Sequence, residues 1–336
     1  MVDVFYDGRW PEGTGIGRVL NLYAGLAPST VALHKLDVQG GIGHPLSPLA
    51  VSRALARERR PAGPAVFWNP GFIPPATRRM RSVVTVHDLT HLHHYTRAHR
   101  LYYDAVLRPL YRRCDLVVCI SEYTRSEFLE WSGMDESRVL KVSNAIDPAF
   151  AAQSAPQSPA KPFIFYAGNR RNFKNVPMMV RAFAASGLAK EGFELVLTGA
   201  PDDALTRIMR DVGAADSLRF RGFLTDAEIV AHYKSATCLA YLSKYEGFGL
   251  PILEAWQCGT PALLANATCL PEIGGDAALY VDPDNLPQIA QGMRTICLDE
   301  AVRARLVDRG NQRLRLYDLT RSAAQLWGAI DAVARS

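Results

Sequence analysis

Short runs that are apolar throughout alternate with helical patterns along the chain, and this alternation constrains the fold most. Strands that are apolar on both faces are typical of parallel sheets covered by helices on both sides. Between them, stretches such as 100–114 and 176–189 repeat apolar residues every three to four positions, as amphipathic helices do. The sequence therefore predicts an α/β protein built from doubly wound parallel sheets. The strand-like runs are residues 2–6, 65–69, 82–86, 116–120, 163–168, 193–199 and 237–242.

The length of 336 residues exceeds what one hydrophobic core ordinarily holds, and it predicts two domains. Residues 151–162, AAQSAPQSPAKP, contain almost no large apolar side chain and indicate a linker. We therefore predict a Rossmann-like domain over 1–155, a second over 161–313, and a helical segment over 314–336. The apolar stripe of that last helix comprises Leu319, Ala323, Leu326, Trp327 and Ile330.

The composition, with 48% hydrophobic and 21% charged residues, indicates a globular protein. The sequence contains no run of about 18 apolar residues, so no transmembrane helix is predicted. Asp3 and Asp7 lie where a secretory signal would need a basic cap and an apolar run, so we expect a cytoplasmic protein. The six cysteines form no C-x-x-C pair and are expected to be small core residues.

Arginine is concentrated in residues 78–113, which contain eight arginines and only two acidic residues, Asp88 and Asp104. That local excess predicts a basic surface that attracts phosphates, either anionic lipid head groups or a diphosphate. Within it, residues 97–113 either form a basic helix at a membrane surface or pack on the sheet with their arginines in water. Nucleic acid is not expected as a partner, since no basic domain carries interleaved exposed aromatic residues.

The segment 245–285 carries the most specific pattern of the chain. Glu246 and Glu254 are separated by seven residues, and Gly247 and Gly249 between them allow a tight turn into a helix. A glycine-rich turn at a helix N-terminus directs free N–H groups at one point and is a natural diphosphate site. Carboxylates on either side suit sugar hydroxyls, because they accept hydrogen bonds. The pattern favours a nucleotide-sugar as the ligand.

The sequences EGFGLPILE, GTPALLAN and LPEIGGDAALYVDPDN in this segment resemble those of retaining glycosyltransferases of the GT-B fold, in the large family that includes bacterial mannosyltransferases. The resemblance implies two Rossmann-like domains whose parallel sheets face a central cleft, with the C-terminal helix packed back on the first domain. It also implies that Glu246 contacts the transferred sugar and Glu254 the ribose. The backbone amides that would hold the diphosphate are those of Phe248, Gly249 and Leu250.

Cations are expected near the departing diphosphate, because the charge of the leaving group must be stabilised. The segment AGNRRNFKNVP, residues 167–177, is similar to the family's Arg-Lys-Asn loop, and it offers Lys174 together with Arg170 or Arg171. Which of the two arginines binds phosphate stays open. The resemblance further implies that the backbone near Phe223 and Leu224 flanks the nucleotide base.

A glycine-rich segment, EGTGIGRV at residues 12–19, follows the first strand. Glycines there allow the chain to approach a ligand or to begin a helix closely. In the resembling family this segment faces the cleft, so Gly15, Gly17 and Arg18 are candidate acceptor or cleft residues. A glycine turn without any ligand contact is the alternative.

Four of the chain's eight histidines lie in VTVHDLTHLHH, residues 84–94. His87 follows a predicted strand, where ligands bind in open α/β sheets. The resemblance implies that His87 hydrogen-bonds the donor sugar or phosphate and is catalytic together with Glu246. A metal cage is the alternative, but no H-E-x-x-H arrangement is present, and we expect no metal. His91, His93 and His94 are expected in a loop or facing the acceptor.

The resemblance implies a retaining, metal-independent glycosyltransferase without a cofactor other than its nucleotide-sugar co-substrate. The best-matching donor is GDP-mannose, and the expected acceptor is a glycan or a polyprenyl-diphosphate-linked oligosaccharide of bacterial surface polysaccharide synthesis. A peripheral position on the inner face of an anionic membrane would suit such an acceptor. The alternatives are a transferase for UDP-sugars, a sugar-nucleotide epimerase or phosphorylase of the same fold, and a non-catalytic subunit of a polysaccharide assembly complex.

Overall fold

A computed structural model describes residues 1–59, 61–155 and 159–336, and over these ranges the chain forms two compact units. The first unit comprises Met1–Ala145 and Leu319–Ser336, and the second comprises Ile146–Asp318. Each unit contains a six-stranded sheet in which every pair of neighbouring strands is parallel, as far as the described residues show. The predicted doubly wound α/β class is confirmed.

The first unit has the strand order β2-β1-β3-β4-β5-β6. Its strands are β1 (Val2–Asp7), β2 (Val31–Leu36), β3 (Ala65–Asn69), β4 (Arg81–Val86), β5 (Leu116–Cys119) and β6 (Val139–Lys141). Its helices are α1 (Gly15–Gly25), α2 (Ser47–Arg57), α3 (Thr90–His93), α4 (Arg97–Tyr102), α5 (Arg108–Tyr111) and α6 (Glu122–Ser132).

The helix predicted over 100–114 is present as one helical stretch, because a π-helical turn, Tyr103–Leu107, joins α4 directly to α5. Tyr103, Leu107 and Tyr111 are buried in a core cluster with side chains of β4, β5 and α6. The stretch therefore packs one face on the sheet, while Leu101 and Val106 on its other side remain exposed.

The second unit has the strand order β12-β11-β10-β7-β8-β9. Its strands are β7 (Phe163–Tyr166), β8 (Glu194–Leu197), β9 (Leu218–Phe220), β10 (Cys238–Tyr241), β11 (Ala262–Ala265) and β12 (Ala278–Val281). Its helices are α7 (Val176–Ser186), α8 (Asp203–Arg210), α9 (Asp226–Ser235), α10 (Leu250–Gln257), α11 (Leu270–Gly274), α12 (Leu286–Leu298) and α13 (Glu300–Leu314).

The last helix, α14 (Leu319–Arg335), belongs to the first unit. Its predicted apolar stripe is buried. The Trp327 ring meets the ring of Trp68 in β3 edge to face at 5.4 Å, and its indole N–H donates to the carbonyl oxygen of Tyr23 at 3.0 Å. An apolar stripe that also places its one polar group on a backbone acceptor fixes the rotation of the helix on the sheet.

The second unit begins earlier than the predicted linker. Residues 146–155 belong to it, because Phe150 packs edge to face on Tyr233 and the Gln257 amide donates to the Asp147 carbonyl oxygen at 3.2 Å. Lys234 also donates to the Ser154 carbonyl oxygen at 2.8 Å. Residues 156–158 of the predicted linker lie outside the described residues.

Five strands, β2, β6, β9, β11 and β12, lie outside the predicted apolar runs. β2, β6, β9 and β12 are the edge strands of the two sheets, and exposed side chains interrupt the apolar pattern of β2, β6 and β9. β12 is apolar throughout and has no exposed residue, but it was not recognised as a strand. β11 is central and buried, and its short apolar run was not recognised as a strand.

All six cysteines lie in the described ranges as free thiols, and five of them are buried, as predicted. Within the described ranges, no helix is long and apolar enough to cross a membrane.

Candidate active site

The chain reverses its direction across the second sheet between β7 and β10. From β7 it proceeds outward through β8 and β9, and it then returns to build β10, β11 and β12 on the other side. The loops that follow two such strands diverge and leave a crevice at the carboxyl ends, where open α/β sheets bind their ligands. The loops after β7 and β10 carry the predicted residues Lys174 and Glu246.

Lys174 and Glu246 form an ion pair at this reversal point. The Lys174 Nζ donates to Glu246 Oε1 at 2.6 Å and to the Tyr241 hydroxyl at 3.2 Å. Only 13% of the lysine side chain and 11% of the glutamate side chain are exposed. An ion pair shielded from water to this degree is screened less by salt than a surface pair, and removal of either partner leaves the other charge buried and uncompensated.

The backbone after β7 is arranged to present Lys174 to Glu246. Residues Asn172–Lys174 form a 3₁₀ turn, and Asn175 then adopts the left-handed conformation at φ 59°. The Asn175 side chain is buried and donates to the Pro283 carbonyl oxygen at 2.8 Å, which anchors this turn to the loop after β12. Asparagine tolerates that backbone conformation better than most residues do.

Tyr241 ends β10 and lies beside both charges. Burial, and after it the Glu246 carboxylate, raise the pKa of the Tyr241 phenol well above its usual value. The phenol therefore stays neutral at every physiological pH. Its oxygen accepts a hydrogen bond from the Lys174 ammonium group. This second contact of the lysine, beside the one to Glu246, brings no further charge to the site.

The turn before α10 has the form expected of an anion-binding helix start. Gly249 lies at φ 100°, and a Cβ there would approach Ile252 Cδ1 at 3.0 Å and Leu270 Cδ2 at 3.2 Å, so glycine fits this position best. The Phe248 side chain is buried and meets Tyr317 edge to face. Phe248 therefore offers a ligand only its backbone. The first amides of a helix, such as that of Leu250, have no acceptor within the helix.

Glu254 lies in α10 and accepts a hydrogen bond from the hydroxyl of Tyr233, in α9, at 2.9 Å. The two predicted glutamates thus stand in different settings, with Glu246 beside a cation and Glu254 beside a phenol. The Tyr233 hydroxyl is a neutral donor, so this contact brings no cation to the Glu254 carboxylate.

The structure distinguishes the two adjacent arginines. The Arg170 guanidinium lies 5.0 Å above the Phe220 ring, donates to the Ala200 carbonyl oxygen and is 3.9 Å from the Asp202 carboxylate. The side chain of Arg171 is exposed on the same loop. Arg170 is therefore fixed against the neighbouring strands, and Arg171 is the more accessible of the two.

Phe223 and Leu224 follow β9 at the same edge of the second sheet. Phe223 is 98% exposed, and Leu224 is half-buried. An aromatic ring held almost wholly in water at a ligand-binding edge is available for stacking.

In the first unit, the chain reverses direction between β1 and β3, and His87 follows β4 at the carboxyl edge of that sheet. His87 is buried, and its Nε2 lies 2.7 Å from the Pro70 carbonyl oxygen. Burial lowers the pKa of His87, against smaller opposing effects of the Pro70 hydrogen bond and of Asp88. The ring is therefore neutral at neutral pH.

The position of the proton on His87 follows from its neighbour. A carbonyl oxygen can only accept, so Nε2 carries the hydrogen and Nδ1 of the neutral ring is an acceptor. An acceptor nitrogen suits a sugar hydroxyl and does not suit a phosphate oxygen. Of the two contacts expected for His87, this arrangement favours the sugar.

The carboxyl edge of the first sheet also contains a buried polar network that the sequence patterns did not reveal. Asp7, at the end of β1, is fully buried and accepts from Arg9 Nη2 at 2.8 Å and from Arg9 Nε at 2.9 Å. Asn69, at the end of β3, donates to the same carboxylate at 3.2 Å. Both Asp7 and Asn69 are the last residues of adjacent strands at a reversal point, which is the signal that could have identified them.

The glycine-rich segment begins α1. Thr14 caps the helix by accepting from the Gly17 amide at 3.1 Å, so Gly15, Gly17 and Arg18 lie in its first turn. A Cβ on Gly17 would lie 2.0 Å from the Pro11 carbonyl oxygen, whereas one on Gly15 would meet nothing within 4 Å. Gly17 is thus required by packing, whereas Gly15, like Gly13, leaves open space.

His91 and His93 do not lie in a loop as expected, because Thr90–His93 forms the short helix α3, whereas His94 lies in the loop after that helix. The His91 ring stacks on the ring of Tyr103 at 5.0 Å, and this contact packs α3 against the helical stretch that follows it. The His93 Nε2 lies 2.5 Å from Glu127 Oε1. Within residues 1–59, 61–155 and 159–336, no group of three or more His, Cys, Asp or Glu side chains is placed to hold a metal ion.

Two family models match the chain. The model described as Glycosyltransferase Family 4 matches residues 24–150, and the model described as Glycosyl transferases group 1 matches residues 150–313. Together they cover most of the chain, and the predicted family resemblance is confirmed.

Two of the proteins that are similar to this chain come from Escherichia coli. The O-antigen chain mannosyltransferase B is 27% identical over 265 residues, which are 73% of this chain and 68% of that protein. The serotype-specific mannosyltransferase WbdA is 30% identical over 246 residues, which are 67% of this chain but only 29% of WbdA.

Among solved structures, WaaG, described as a glycosyltransferase involved in lipopolysaccharide biosynthesis, aligns with a TM-score of 0.74 and 14% identity. The alignment covers 98% of this chain and 99% of WaaG. At this identity the likeness concerns the fold alone, and it confirms the predicted GT-B type.

The lowered pKa of His87 predicts a specific dependence of stability on pH. Below about pH 6.5, the unfolded chain binds a proton at this position more readily than the folded chain does, so the free energy of unfolding falls as the pH falls. We expect His87→Gln, whose amide can still donate to Pro70, to lose less stability than the wild type between about pH 7.5 and about pH 5.5. Chemical denaturation at both pH values measures this difference.

The exposed His44 provides the matched control, since His44→Gln should keep the wild-type pH dependence. Equal losses of stability in the wild type and in His87→Gln would show that His87 is not held neutral by burial.

Proposed function

Since the chain belongs to the glycosyltransferases whose two domains are described as Family 4 and group 1, we propose that it transfers mannose from GDP-mannose to a glycan or polyprenyl-diphosphate-linked acceptor. The relatives named as mannosyltransferases support mannose as the sugar and a bacterial surface polysaccharide, such as O-antigen, as the product. The observation that carries the proposal is the shielded Lys174–Glu246 pair at the reversal point of the second sheet.

In this proposal, Lys174 neutralises the diphosphate as the bond between it and the sugar breaks. The free amides at the start of α10 add hydrogen-bond donors, and Arg171 adds an accessible second cation. These groups supply positive charge from the protein itself, and we therefore propose that transfer needs no metal ion. Arg170 acts by holding the loop in place, because its guanidinium is already engaged by neighbouring residues.

Glu246 is proposed to accept a hydrogen bond from a hydroxyl of the transferred sugar, since one of its oxygens is bound to Lys174 and carboxylates retain further lone pairs. Glu254 would accept from the ribose hydroxyls, and Phe223 with Leu224 would flank the base. His87 would accept from a second sugar hydroxyl through Nδ1 and is proposed as catalytic together with Glu246.

We propose that the anomeric configuration of the sugar is retained. The bond from the anomeric carbon to the diphosphate oxygen breaks, and the acceptor oxygen forms its bond on the same face of the ring. The acceptor proton passes to the departing diphosphate, so no protein nucleophile takes part. Pairing of the Glu246 carboxylate with Lys174 supports this assignment, because a paired carboxylate is a poor nucleophile.

A screen of GDP-, UDP- and dTDP-sugars tests the donor. We expect GDP-mannose to raise the melting temperature most.

The variant Glu246→Gln tests the catalytic role of the glutamate. We expect it to lower kcat about 100-fold or more, because the transferred sugar loses its contact with a charged carboxylate during transfer. Glu130→Gln, an exposed glutamate of α6, is the matched control and should keep wild-type turnover. NMR of the product's anomeric proton measures retention.

Several outcomes would contradict the proposal. A stronger shift with UDP-sugars would replace the donor, and an epimerised sugar nucleotide without transfer would replace the reaction. Unchanged turnover in Glu246→Gln would remove this site from catalysis altogether.

We also propose that the helical stretch from Arg97 to Tyr111 attaches the protein to the inner face of an anionic membrane. Leu101 is 68% exposed and follows Arg100, and Val106 is 39% exposed and lies two residues before Arg108. Exposed apolar side chains flanked by arginines are typical of helices that lie in the lipid interface.

Co-sedimentation with vesicles tests this attachment. The wild type should bind phosphatidylglycerol vesicles, salt should release it, and replacing Leu101 and Val106 together by Ser should weaken binding about tenfold. Val212→Ser, at an exposed valine of the second unit, is the control and should bind as the wild type does. Equal binding to neutral and anionic vesicles would contradict the proposal.

A further inference from the structure

A pocket of about 560 Å³ in the first unit is surrounded by arginine side chains. It lies at the amino ends of the strands, at the edge of the sheet opposite to His87. The six residues of β4 separate the two edges by roughly 20 Å, at about 3.3 Å per residue. The charged side chains that line it, among the described residues, are those of Arg78, Arg79, Arg81, Arg113, Arg138 and Asp115.

The sheet brings these arginines together from three separate segments. Arg78 and Arg79 precede β4, Arg81 is its first residue, and Arg113 follows α5. Arg138 comes from the 3₁₀ turn before β6. Amino ends of adjacent parallel strands meet at one edge, so arginines far apart in the sequence converge on one pocket.

Three of the arginines are held in place by protein acceptors. Arg81 Nη1 donates to Asp115 Oδ1 at 2.8 Å, and the other oxygen of that carboxylate accepts from the Ser82 amide. Arg138 Nη1 donates to the Cys114 carbonyl oxygen at 3.1 Å. Arg79 Nη2 donates to the Glu58 carbonyl oxygen at 3.1 Å. These contacts order the wall of the pocket.

Arg78 and Arg113 differ from those three. Both are exposed, and within the described part of the chain neither side chain has an ion pair or a hydrogen bond to a protein group. Among the side chains that line the pocket, five arginines face one carboxylate, that of Asp115, and Ser336, the last residue of the sequence, also lines it. Mutual repulsion among the arginines is relieved by a bound anion.

We propose that this pocket is a binding site for a phosphate-bearing ligand, separate from the donor site of the second unit. The guanidinium group presents two parallel N–H donors that match the spacing of phosphate oxygens. A pocket of this volume accommodates a diphosphate or a head group. Because the site lies at the far edge of the sheet from His87, its ligand anchors or regulates the protein and is not the reacting sugar.

Two sources share this chemistry, namely a phospholipid head group and a soluble diphosphate or polyphosphate. Inorganic pyrophosphate is a suitable probe for both. Because pyrophosphate also fits a donor diphosphate site, the readout must be local to the pocket, and hydrogen exchange measured by mass spectrometry on the full chain provides that.

Pyrophosphate is expected to slow amide exchange in segments 77–82 and 112–115 of the wild type. In the double variant Arg78→Gln with Arg113→Gln, the same protection should require at least about tenfold more pyrophosphate, because two charge-assisted contacts are lost. These side chains have no structural partner in the described chain, so the melting temperature of the variant should be unchanged. Arg207→Gln with Arg210→Gln, on exposed positions of α8, is the matched control.

Absence of protection in these segments of the wild type, or equal protection in the wild type and the Arg78/Arg113 variant, would overturn the proposal. A vesicle experiment then assigns the source. If pyrophosphate displaces the protein from phosphatidylglycerol vesicles more strongly than sulfate does at equal ionic strength, the ligand is the lipid head group. If it protects the pocket and leaves vesicle binding unchanged, the ligand is a soluble phosphate.

Discussion

The ion pair between Lys174 and Glu246 is the interaction on which the candidate site depends. It joins the loop after β7 to the loop after β10, at the point where the chain reverses direction across the second sheet. In the proposed function, the lysine supplies the positive charge that a nucleoside diphosphate requires, and the glutamate keeps that charge in place before the ligand arrives. Tyr241 completes the pair as a neutral acceptor, because its own ionisation is suppressed by burial and by the glutamate.

The two sheets place different chemistry at their carboxyl ends. The second presents cations, a carboxylate and helix amides, which suit the diphosphate and sugar of a donor. The first presents a neutral histidine whose free nitrogen accepts hydrogen bonds, together with the buried network of Asp7, Arg9 and Asn69. The arginines proposed to bind phosphate in the first unit lie at the other edge of its sheet, around Arg78. The two edges of that sheet thus differ in charge, because the arginines cluster at the amino ends of its strands and the neutral histidine lies at the carboxyl ends.

The central strands and the buried faces of the longer helices could be predicted from the sequence, because residues covered on both faces leave runs with no polar interruption. The edge strand β2 could not, since its exposed residues resemble those of a loop. Likewise, Lys174 and Glu246 were each predicted from a local motif, but their contact spans 72 residues and follows from the strand order alone. Arg170 and Arg171 are adjacent in the sequence and became distinguishable only through Phe220 and Ala200, which belong to other segments.

The central claim is that Lys174 and Glu246 jointly set the charge of the diphosphate site, and the affinity for GDP tests it most directly. Isothermal titration should show about tenfold weaker GDP binding in Lys174→Ala, because a cation beside the diphosphate is lost. Glu246→Gln should bind GDP more tightly than the wild type, because the lysine is then no longer neutralised by a carboxylate. Shifts of opposite sign in the two variants are the predicted result. GDP affinities that are unchanged in both variants would contradict the account.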